Sequence, residues 1–323
     1  MAKRKRKTST KRVSISVSVI IAVFLSFFVL QAIDNWLGFG IFDSIETAFG
    51  NAMQQESSAK TDGNTAADED LQIHFIDVGQ GDSILIRSDG YNILIDAGEN
   101  NKGQTVVSYL QSQGVKTLDL VIGTHPHSDH IGGLDVVVNE MEVKQVLMPE
   151  LKKSVVPTTK TYRDLLTAIK NKNLTATVSK PGQVYTFGKG KLTVLGPVEN
   201  YDDLNDTSLV ARFDYNGHSF LFTGDMEEDA EQDLLDSGAD VSAEVLKLGH
   251  HGSSTSSSKT FFEAVDPDYC IASCGEDNDY GHPHKETLRR VQQSGAELYR
   301  TDYQGSIVFA VQNGKLAVTT KKG

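Results

Sequence analysis

Cysteine and proline are scarce in the 323-residue sequence, which holds two cysteines and seven prolines beside 28 glycines. Two cysteines cannot build a disulfide framework, and Cys270 and Cys274 do not form the Cys-x-x-Cys pair of a zinc ribbon. They stand at opposite ends of a predicted strand, about 13 Å apart, which is too far for a disulfide. We therefore expect both thiols to be buried and structural.

The rest of the composition is that of a globular protein with an uneven charge distribution. Hydrophobic residues make up 39% of the chain and charged residues 23%, which excludes a disordered, a collagen-like and a polytopic membrane chain. Of the 31 basic residues, seven lie in residues 1–12, so the rest of the chain sets 24 basic against 43 acidic residues, a net charge of −19. Such an acidic body disfavours broad, non-specific binding to a nucleic-acid backbone.

An uncharged stretch follows the basic segment. Residues 13–33 carry no charged side chain and, as a helix, would span roughly 30 Å, the thickness of a bilayer core. We interpret them as a transmembrane signal anchor, with residues 1–12 in the cytoplasm and the rest of the chain extracellular at the cell membrane. A cleaved signal peptide ending at Ala32 and a basic arm that binds nucleic acid are the alternatives. No protein partner can be inferred from the sequence.

Residues 34–70 are the predicted extracytoplasmic linker, and residues 71–323 are the predicted folded domain. Strand and helix signals alternate through this domain in two β-rich halves, with helical spacing at residues 104–113, 162–171, 227–236 and 285–293. The pattern predicts two sheets packed face to face and covered outside by helices. The expected fold is therefore a four-layer αββα sandwich of the α/β class.

The strongest chemical signal is a run of metal-binding side chains directly after a predicted buried strand. The two histidines at its start alternate by two, so in an extended segment their rings point the same way. The acid and the histidine that follow begin a helix and can face a second ion. Gly132 and Gly133 then remove side chains where we expect the backbone to pass close to the metals. The four potential ligands are His125, His127, Asp129 and His130.

Two further segments end strands with ligand-type residues. Asp225 follows a strongly apolar strand and is suitably placed to bridge two ions. His250 and His251 follow another strand; at least one should bind metal, and we favour His250. The serine-rich run Ser253–Ser258 would either supply hydroxyl groups to a phosphate or form a flexible loop.

These motifs resemble the metallo-β-lactamase superfamily, whose His-x-His-x-Asp-His motif matches residues 125–130. The resemblance implies Asp225 as the bridging aspartate and His250 as the final histidine. It is closer still to the extracellular metallo-hydrolase domain of ComEC competence DNA-uptake proteins. The segments that carry it cover nearly all of residues 72–320. They are His74–Ser83, Asp96–Gly98, Asn205–Val210 and Tyr280–Pro283.

One departure concerns the first metal site. Most of the superfamily has a third histidine about 20 residues before the bridging aspartate, where this chain has Asn205 and Asp206. The remaining ligand set is richer in oxygen, which leaves Mn²⁺ as well as Zn²⁺ open as the identity of the two divalent ions. Asp96 is expected to orient a ligand histidine through its ring N–H.

The predicted chemistry is hydrolysis by a hydroxide that bridges the two ions. Asp129 is assigned to the catalytic set as well as to the ligands, and His251 and His282 are the candidates for protonating the leaving oxygen. Asp77, Gln80 and Asp82 lie in a glycine-rich turn and either line the cleft or cap that turn.

The expected function is that of a membrane-anchored phosphodiesterase or nuclease whose substrate is a phosphodiester. The resemblance implies DNA handling, and DNA uptake in particular. One alternative is an esterase acting on a cell-wall phosphodiester such as phosphorylcholine or teichoic acid. The other is a metal-bearing binding module without turnover.

Overall fold

The computed structural model describes residues 71–322. The predicted cytoplasmic segment, signal anchor and linker fall on residues 1–70, outside the described part of the chain. Between residues 71 and 322, no helix has both the length and the apolar character needed to cross a bilayer.

Strands and helices alternate along the described chain. The strands are β1 (Leu71–Phe75), β2 (Ile84–Ser88), β3 (Tyr91–Ile95), β4 (Thr117–Leu118), β5 (Leu120–Ile122), β6 (Glu142–Val143), β7 (Val146–Met148), β8 (Ala176–Val178), β9 (Val184–Phe187), β10 (Gly190–Gly196), β11 (Val210–Tyr215), β12 (His218–Phe222), β13 (Val245–Lys247), β14 (Tyr269–Ala272), β15 (Glu297–Arg300), β16 (Ile307–Gln312) and β17 (Lys315–Thr320). The helices are α1 (Gly103–Ser112), α2 (Ser128–Ile131), α3 (Leu134–Glu140), α4 (Lys160–Asn171), α5 (Glu228–Asp236), α6 (Lys259–Val265), α7 (Lys285–Ser294) and α8 (Thr301–Gln304), and a 3-10 helix spans Gly249–Gly252.

The strands form two large sheets. The first has the order β17-β16-β1-β2-β3-β5-β7-β8, and the second has the order β15-β14-β13-β12-β11-β10-β9. Strands β3, β5, β7 and β8 run parallel in the first sheet, as do β12 to β15 in the second. The short strands β4 and β6 pair separately.

Three apolar cores separate the layers. The central core lies between the sheets and includes Phe75 and Phe309 from the first and Phe213 and Phe220 from the second. Another cluster fills the space between the first sheet and helices α1, α3 and α4. A third lies between the second sheet and helices α5, α6 and α7. The order helix, sheet, sheet, helix confirms the predicted αββα sandwich.

Side-chain alternation explains how one strand can serve two cores. In β3, Ile93 and Ile95 enter the central core while Leu94 packs against the helices, as the period of two along a strand requires. The carboxyl ends of β3, β5, β12 and β13 carry Asp96, the histidine motif, Asp225 and the histidine pair. Ligand sites in α/β folds lie outside such strand ends.

Gly132 and Gly133 serve a purpose that the sequence does not reveal. A Cβ at Gly132 would lie 2.4 Å from the backbone nitrogen of Asn100, and one at Gly133 would lie 2.4 Å from the carbonyl oxygen of Ala97. The glycines let two backbone segments pack together. The prediction that the backbone passes close to the metals at these glycines stays a prediction.

The sequence predicts most of the regular elements but misses the edge strands β8, β9 and β15, the two-residue strand β6 and the short helices α6 and α8. Strand β15 is a partly exposed strand at the edge of the second sheet, and α6 is seven residues long, so neither shows a clear hydrophobic period. Cys270 and Cys274 are both free and buried, as predicted.

Candidate metal centre

Asp225 lies at the centre of a buried group of histidines. Its Oδ1 is 3.1 Å from Nε2 of His130. Its Oδ2 is 3.5 Å from Nε2 of His251 and 3.8 Å from Nε2 of both His125 and His250. Three loops that follow separate strands therefore meet at one carboxylate. Below, the motif loop is residues 124–133 and the His-His loop is residues 249–252.

The side chains around Asp225 divide into two groups. In the first group, Nε2 of His125 lies 3.1 Å from Nδ1 of His127, and His250 reaches the same oxygen of Asp225 as His125 does. The first group is therefore His125, His127 and His250.

In the second group, Oδ2 of Asp129 lies 3.1 Å from Nε2 of His251 and 4.0 Å from Nε2 of His130. These three residues form the second group. Donor atoms of His130, His251, Asp225 and Asp82 all lie within 4.8 Å of one another. The structure thus brings together all of the predicted ligands, and it directs both histidines of the His-His loop to Asp225.

The donor atoms fit a divalent cation. Nε2 of His130 and Oδ1 of Asp225 are buried and, although 3.1 Å apart, make no hydrogen bond. Buried polar atoms in folded proteins almost always have a partner. Imidazole nitrogens and carboxylate oxygens that converge on one point, some of them without a hydrogen-bond partner, are the ligand atoms that bind Zn²⁺ and related ions.

The histidines are oriented by contacts at their other ring nitrogen. Nδ1 of His130 donates to Asp96 Oδ2 at 2.9 Å, so Asp96 lies behind a motif histidine as predicted. Nδ1 of His250 lies 3.0 Å from Oε1 of Glu227, and Nδ1 of His251 donates to the carbonyl oxygen of Ser273 at 2.9 Å. Such contacts set the ring orientation and leave Nε2 to face the centre.

The charges around Asp225 favour cations. Burial would lower the pKa of His130 and His251, but the carboxylates of Asp225 and Asp129 hold both well above the ordinary histidine value. Burial would likewise raise the pKa of Asp225, yet the neighbouring His130 and His251 hold it well below the ordinary aspartate value. The centre therefore presents ionised carboxylates that need positive partners.

Asp82 and Lys247 form a buried ion pair under the second group. Nζ of Lys247 lies 2.8 Å from Oδ2 of Asp82 and donates to the carbonyl oxygen of Leu248 at 2.9 Å. Burial would raise the pKa of Asp82, but Lys247 and His251 hold it at about 2. Lys247 already neutralises Asp82, whose Oδ1 is buried without a hydrogen-bond partner, so Asp82 supports the centre without requiring an added cation.

The turn after β1 contains residues with three different tasks. Asp77 caps the turn by accepting a hydrogen bond from the backbone of Gly79 at 3.2 Å. Gln80 lines the cleft and accepts a hydrogen bond from the backbone of Gly275 at 3.2 Å, whereas Asp82 reaches the centre.

The sequence does not indicate Lys247 as part of the site. A lysine at the end of a strand is normally exposed to solvent, and here the residue is 1% exposed.

The His-His loop depends on an unusual backbone. His250 and His251 both have positive φ, 48° and 57°, a conformation that non-glycine residues adopt rarely and at a cost. Glu231 stabilises the segment that follows, because its carboxylate accepts from the backbone of Ser257 and, at 2.8 Å, of Ser258. Serine hydroxyls of the run are used for internal contacts: Ser258 caps α6 and Ser257 accepts from Gly249.

A cleft of about 290 Å³ opens onto the centre. Besides residues of the two donor groups and Asp225, it is lined by Asn205, Tyr280 and His282, among others. Burial and the neighbouring His251 and His250 lower the pKa of His282 to about 4. Its ring is therefore neutral near pH 7, so His282 does not hold a proton in advance for a leaving group.

Comparison with known proteins agrees with this geometry. The family model described as Metallo-beta-lactamase superfamily matches residues 76–276. The chain is 30% identical over 261 residues to ComE operon protein 3 of Bacillus subtilis (strain 168), covering 75% of this chain and 33% of that protein. It is 34% identical over 242 residues to Competence protein ComA of Neisseria gonorrhoeae, covering 74% and 32%. The chain spans about a third of the length of these relatives.

A solved structure supports the fold. CmlA, described as a diiron beta-hydroxylase from Streptomyces venezuelae, superposes with a TM-score of 0.52 at 14% identity, covering 76% of this chain and 55% of that chain. Taken with the family match over residues 76–276 and the competence-protein relatives of the ComEC type, the converging histidines and aspartates show that the chain belongs to the metallo-β-lactamase superfamily.

Proposed function

We propose that the chain is a two-metal phosphodiesterase that acts on nucleic acid. The observation that carries the proposal is the pair of donor groups around Asp225 at the end of a cleft. One cation would be held by each group, with Asp225 shared between them.

His250 supplies the nitrogen that the first group otherwise lacks. Asn205 occupies the neighbourhood of the missing histidine, but its Nδ2 donates to Oε1 of Glu227 at 3.2 Å, and the same carboxylate oxygen contacts Nδ1 of His250. Asn205 thus helps to hold the carboxylate that orients His250. With three imidazoles, the first group suits Zn²⁺ as well as Mn²⁺.

Bound divalent cations would supply an activated water and would neutralise charge on the phosphoryl oxygens. The protein's own residues position these parts. Asp129 and His251 lie 3.1 Å apart beside the cleft, where they would hold the second cation, so neither is left to carry a proton. His282 is neutral and buried at the cleft, where its ring can donate a hydrogen bond to a leaving oxygen.

The proposed substrate follows from the relatives and from the shape of the site. Two relatives are ComE operon protein 3 and Competence protein ComA. Their names support a nucleic-acid strand, handled during DNA uptake, as the substrate. The acidic composition suits a short segment reaching the cleft better than a long duplex footprint. We further propose that residues 13–33 anchor the chain in the cell membrane with this site outside.

The test combines metal analysis with a substrate panel. The full chain is loaded with Zn²⁺ or Mn²⁺ and assayed on single-stranded DNA, bis-p-nitrophenyl phosphate and p-nitrophenyl phosphorylcholine. We expect two metal equivalents and DNA cleavage. Asp225→Ala should lose metal and about a thousandfold in turnover, because the ions contribute several kcal/mol to the transition state.

Three outcomes would contradict the proposal. Turnover of phosphorylcholine alone would favour the cell-wall esterase, and metal binding without any turnover would favour a binding module. Full metal content in Asp225→Ala would show that the two cations do not depend on this carboxylate. His282→Ala should keep both metals and lose only turnover.

A further inference from the structure

Tyr280 is an exposed aromatic residue at the mouth of the cleft. Its side chain lines the cleft, yet the residue is 64% exposed. Its ring stacks nearly parallel on that of His282, with 5.6 Å between centroids and 20° between planes. Burial of an aromatic ring is favourable, so a tyrosine left open at a cleft has surface to offer to a ligand.

The stacked pair continues toward the metal centre. The His282 ring lies 5.2 Å from that of His250 and 6.0 Å from that of His251. Rings thus follow one another from solvent to the two donor groups. A substrate part resting on Tyr280 would be held beside the position where its phosphate meets the centre.

The loop that carries Tyr280 is held in place by hydrogen bonds. Nδ2 of Asn278 donates to the carbonyl oxygens of Gly275, at 2.9 Å, and His282, at 2.7 Å. Nε2 of His284 donates to the carbonyl oxygen of Tyr280 at 3.1 Å, and the backbone of His284 donates to Gly252 at 2.9 Å. A pre-organised ring loses little conformational entropy when a ligand stacks on it.

We propose that Tyr280 is a stacking platform for an unpaired nucleobase next to the scissile phosphodiester. The inference rests on the proposed phosphodiesterase function and names its substrate class: single-stranded nucleic acid. Base-on-aromatic stacking is the recurring means of binding single strands without sequence preference. A duplex is disfavoured, because its bases are already stacked on each other.

A nucleobase fits this platform better than a choline group does. Quaternary ammonium ions are recognised by cages of several aromatic faces. Among the described residues that line the cleft, Tyr280 is the only phenylalanine, tyrosine or tryptophan, and the others are polar or histidine. One flat, open ring matches one flat base.

The experiment compares two esters with the same leaving group. The metal-loaded full chain is assayed on thymidine 5′-p-nitrophenyl phosphate and on methyl p-nitrophenyl phosphate. We expect a preference in kcat/KM for the thymidine ester, and we expect Tyr280→Ala to reduce it by roughly 5- to 100-fold. Tyr280→Phe should retain the preference, because the ring remains. Tyr303→Ala is the matched control, since Tyr303 is 66% exposed and lies outside the cleft.

A binding measurement separates this inference from the proposed function. Fluorescence anisotropy compares a dT oligonucleotide with its abasic equivalent, and the ratio of the two Kd values should approach one in Tyr280→Ala. A Kd ratio in Tyr280→Ala equal to that of the wild type would overturn the stacking role of Tyr280, even if the protein cleaves DNA. If no diester is cleaved, the proposed function fails, and the Kd ratio still decides the role of Tyr280. A larger loss on p-nitrophenyl phosphorylcholine than on the thymidine ester would overturn the assignment to a nucleobase.

Discussion

The motif loop and the His-His loop bring histidines to the same carboxylate by different means. In the motif loop, His127 is extended and α2 begins directly after it, so ordinary backbone geometry presents the side chains. In the His-His loop, two consecutive residues with positive φ turn both rings toward Asp225. One loop is regular and the other is strained.

The orienting contacts differ in burial. The carboxylate behind His130 belongs to Asp96, which is 0% exposed and follows a strand of the same sheet as the motif loop. The carboxylate behind His250 belongs to Glu227, which is partly exposed. The comparison suggests that the motif loop is the rigid half of the site and the His-His loop is the half that needs support from its surroundings.

The largest expected effect tests whether both loops serve the first donor group. His127→Ala and His250→Ala should each lose one metal equivalent and about a thousandfold in turnover, since each removes one imidazole from the same cation. Elemental analysis of the purified proteins measures the loss. His218→Ala, which removes a partly buried histidine that is paired with Glu244, is the control. Two full equivalents of metal in His250→Ala would show that the His-His loop serves the second group alone.

A smaller effect is expected from the orienting carboxylates. Asp96→Asn and Glu227→Gln should each weaken metal affinity by about 10- to 100-fold, and the loss should be larger for the fully buried Asp96. Competition with a chelator of known affinity measures both. Glu244→Gln, a carboxylate beside His218, should leave the affinity unchanged. Equal losses of metal affinity in Asp96→Asn and Glu227→Gln would contradict the proposed difference in rigidity between the motif loop and the His-His loop.

The last expected effect is on folding stability, and it concerns the support of the His-His loop by Glu231. Burial raises the pKa of Glu231 from 4.5 to about 7. The folded protein therefore holds a proton that the unfolded chain releases between these values, so stability falls as pH rises through this window. At pH 8 the loss amounts to about 3 kcal/mol. Denaturant unfolding of chelator-treated protein at pH 4.5 and pH 8 measures it.

Glu231→Gln should flatten this pH dependence, because the amide does not ionise. Glu228→Gln, at an exposed position of the same helix, should leave the dependence as it is in the wild type. If the free energy of unfolding of Glu231→Gln changes with pH as it does in the wild type, another group causes the pH dependence.

The regular half of the site was predictable and the strained half was not. The spacing of His125, His127 and His130 after an apolar strand indicates ligands by local rules alone. Which histidine of the pair at the His-His loop faces Asp225 depends on backbone angles that no local pattern favours, and the structure shows that both do. Contacts such as those of Glu231 join residues 26 and 27 positions apart, so the sequence shows only an acid on a helix.

The fold was predictable for a similar reason. Period-two alternation in strands such as β3 and helical spacing in α4 are local signals, and their order along the chain indicates layered sheets. Edge strand β15 and short helix α6 are stabilised by packing against neighbours that are distant in sequence, and so their own residues reveal little.

Lys247 places a positive charge beneath the second donor group, and this charge belongs to a side chain and not to a bound ion. Its ammonium lies 2.8 Å from Asp82, so this acid stays balanced whether or not any dissolved ion is present. Replacement by methionine would preserve volume yet strand a lone anion in the protein interior. The demand for exchangeable cations is thereby confined to Asp129 and Asp225, the carboxylates nearest to the cleft.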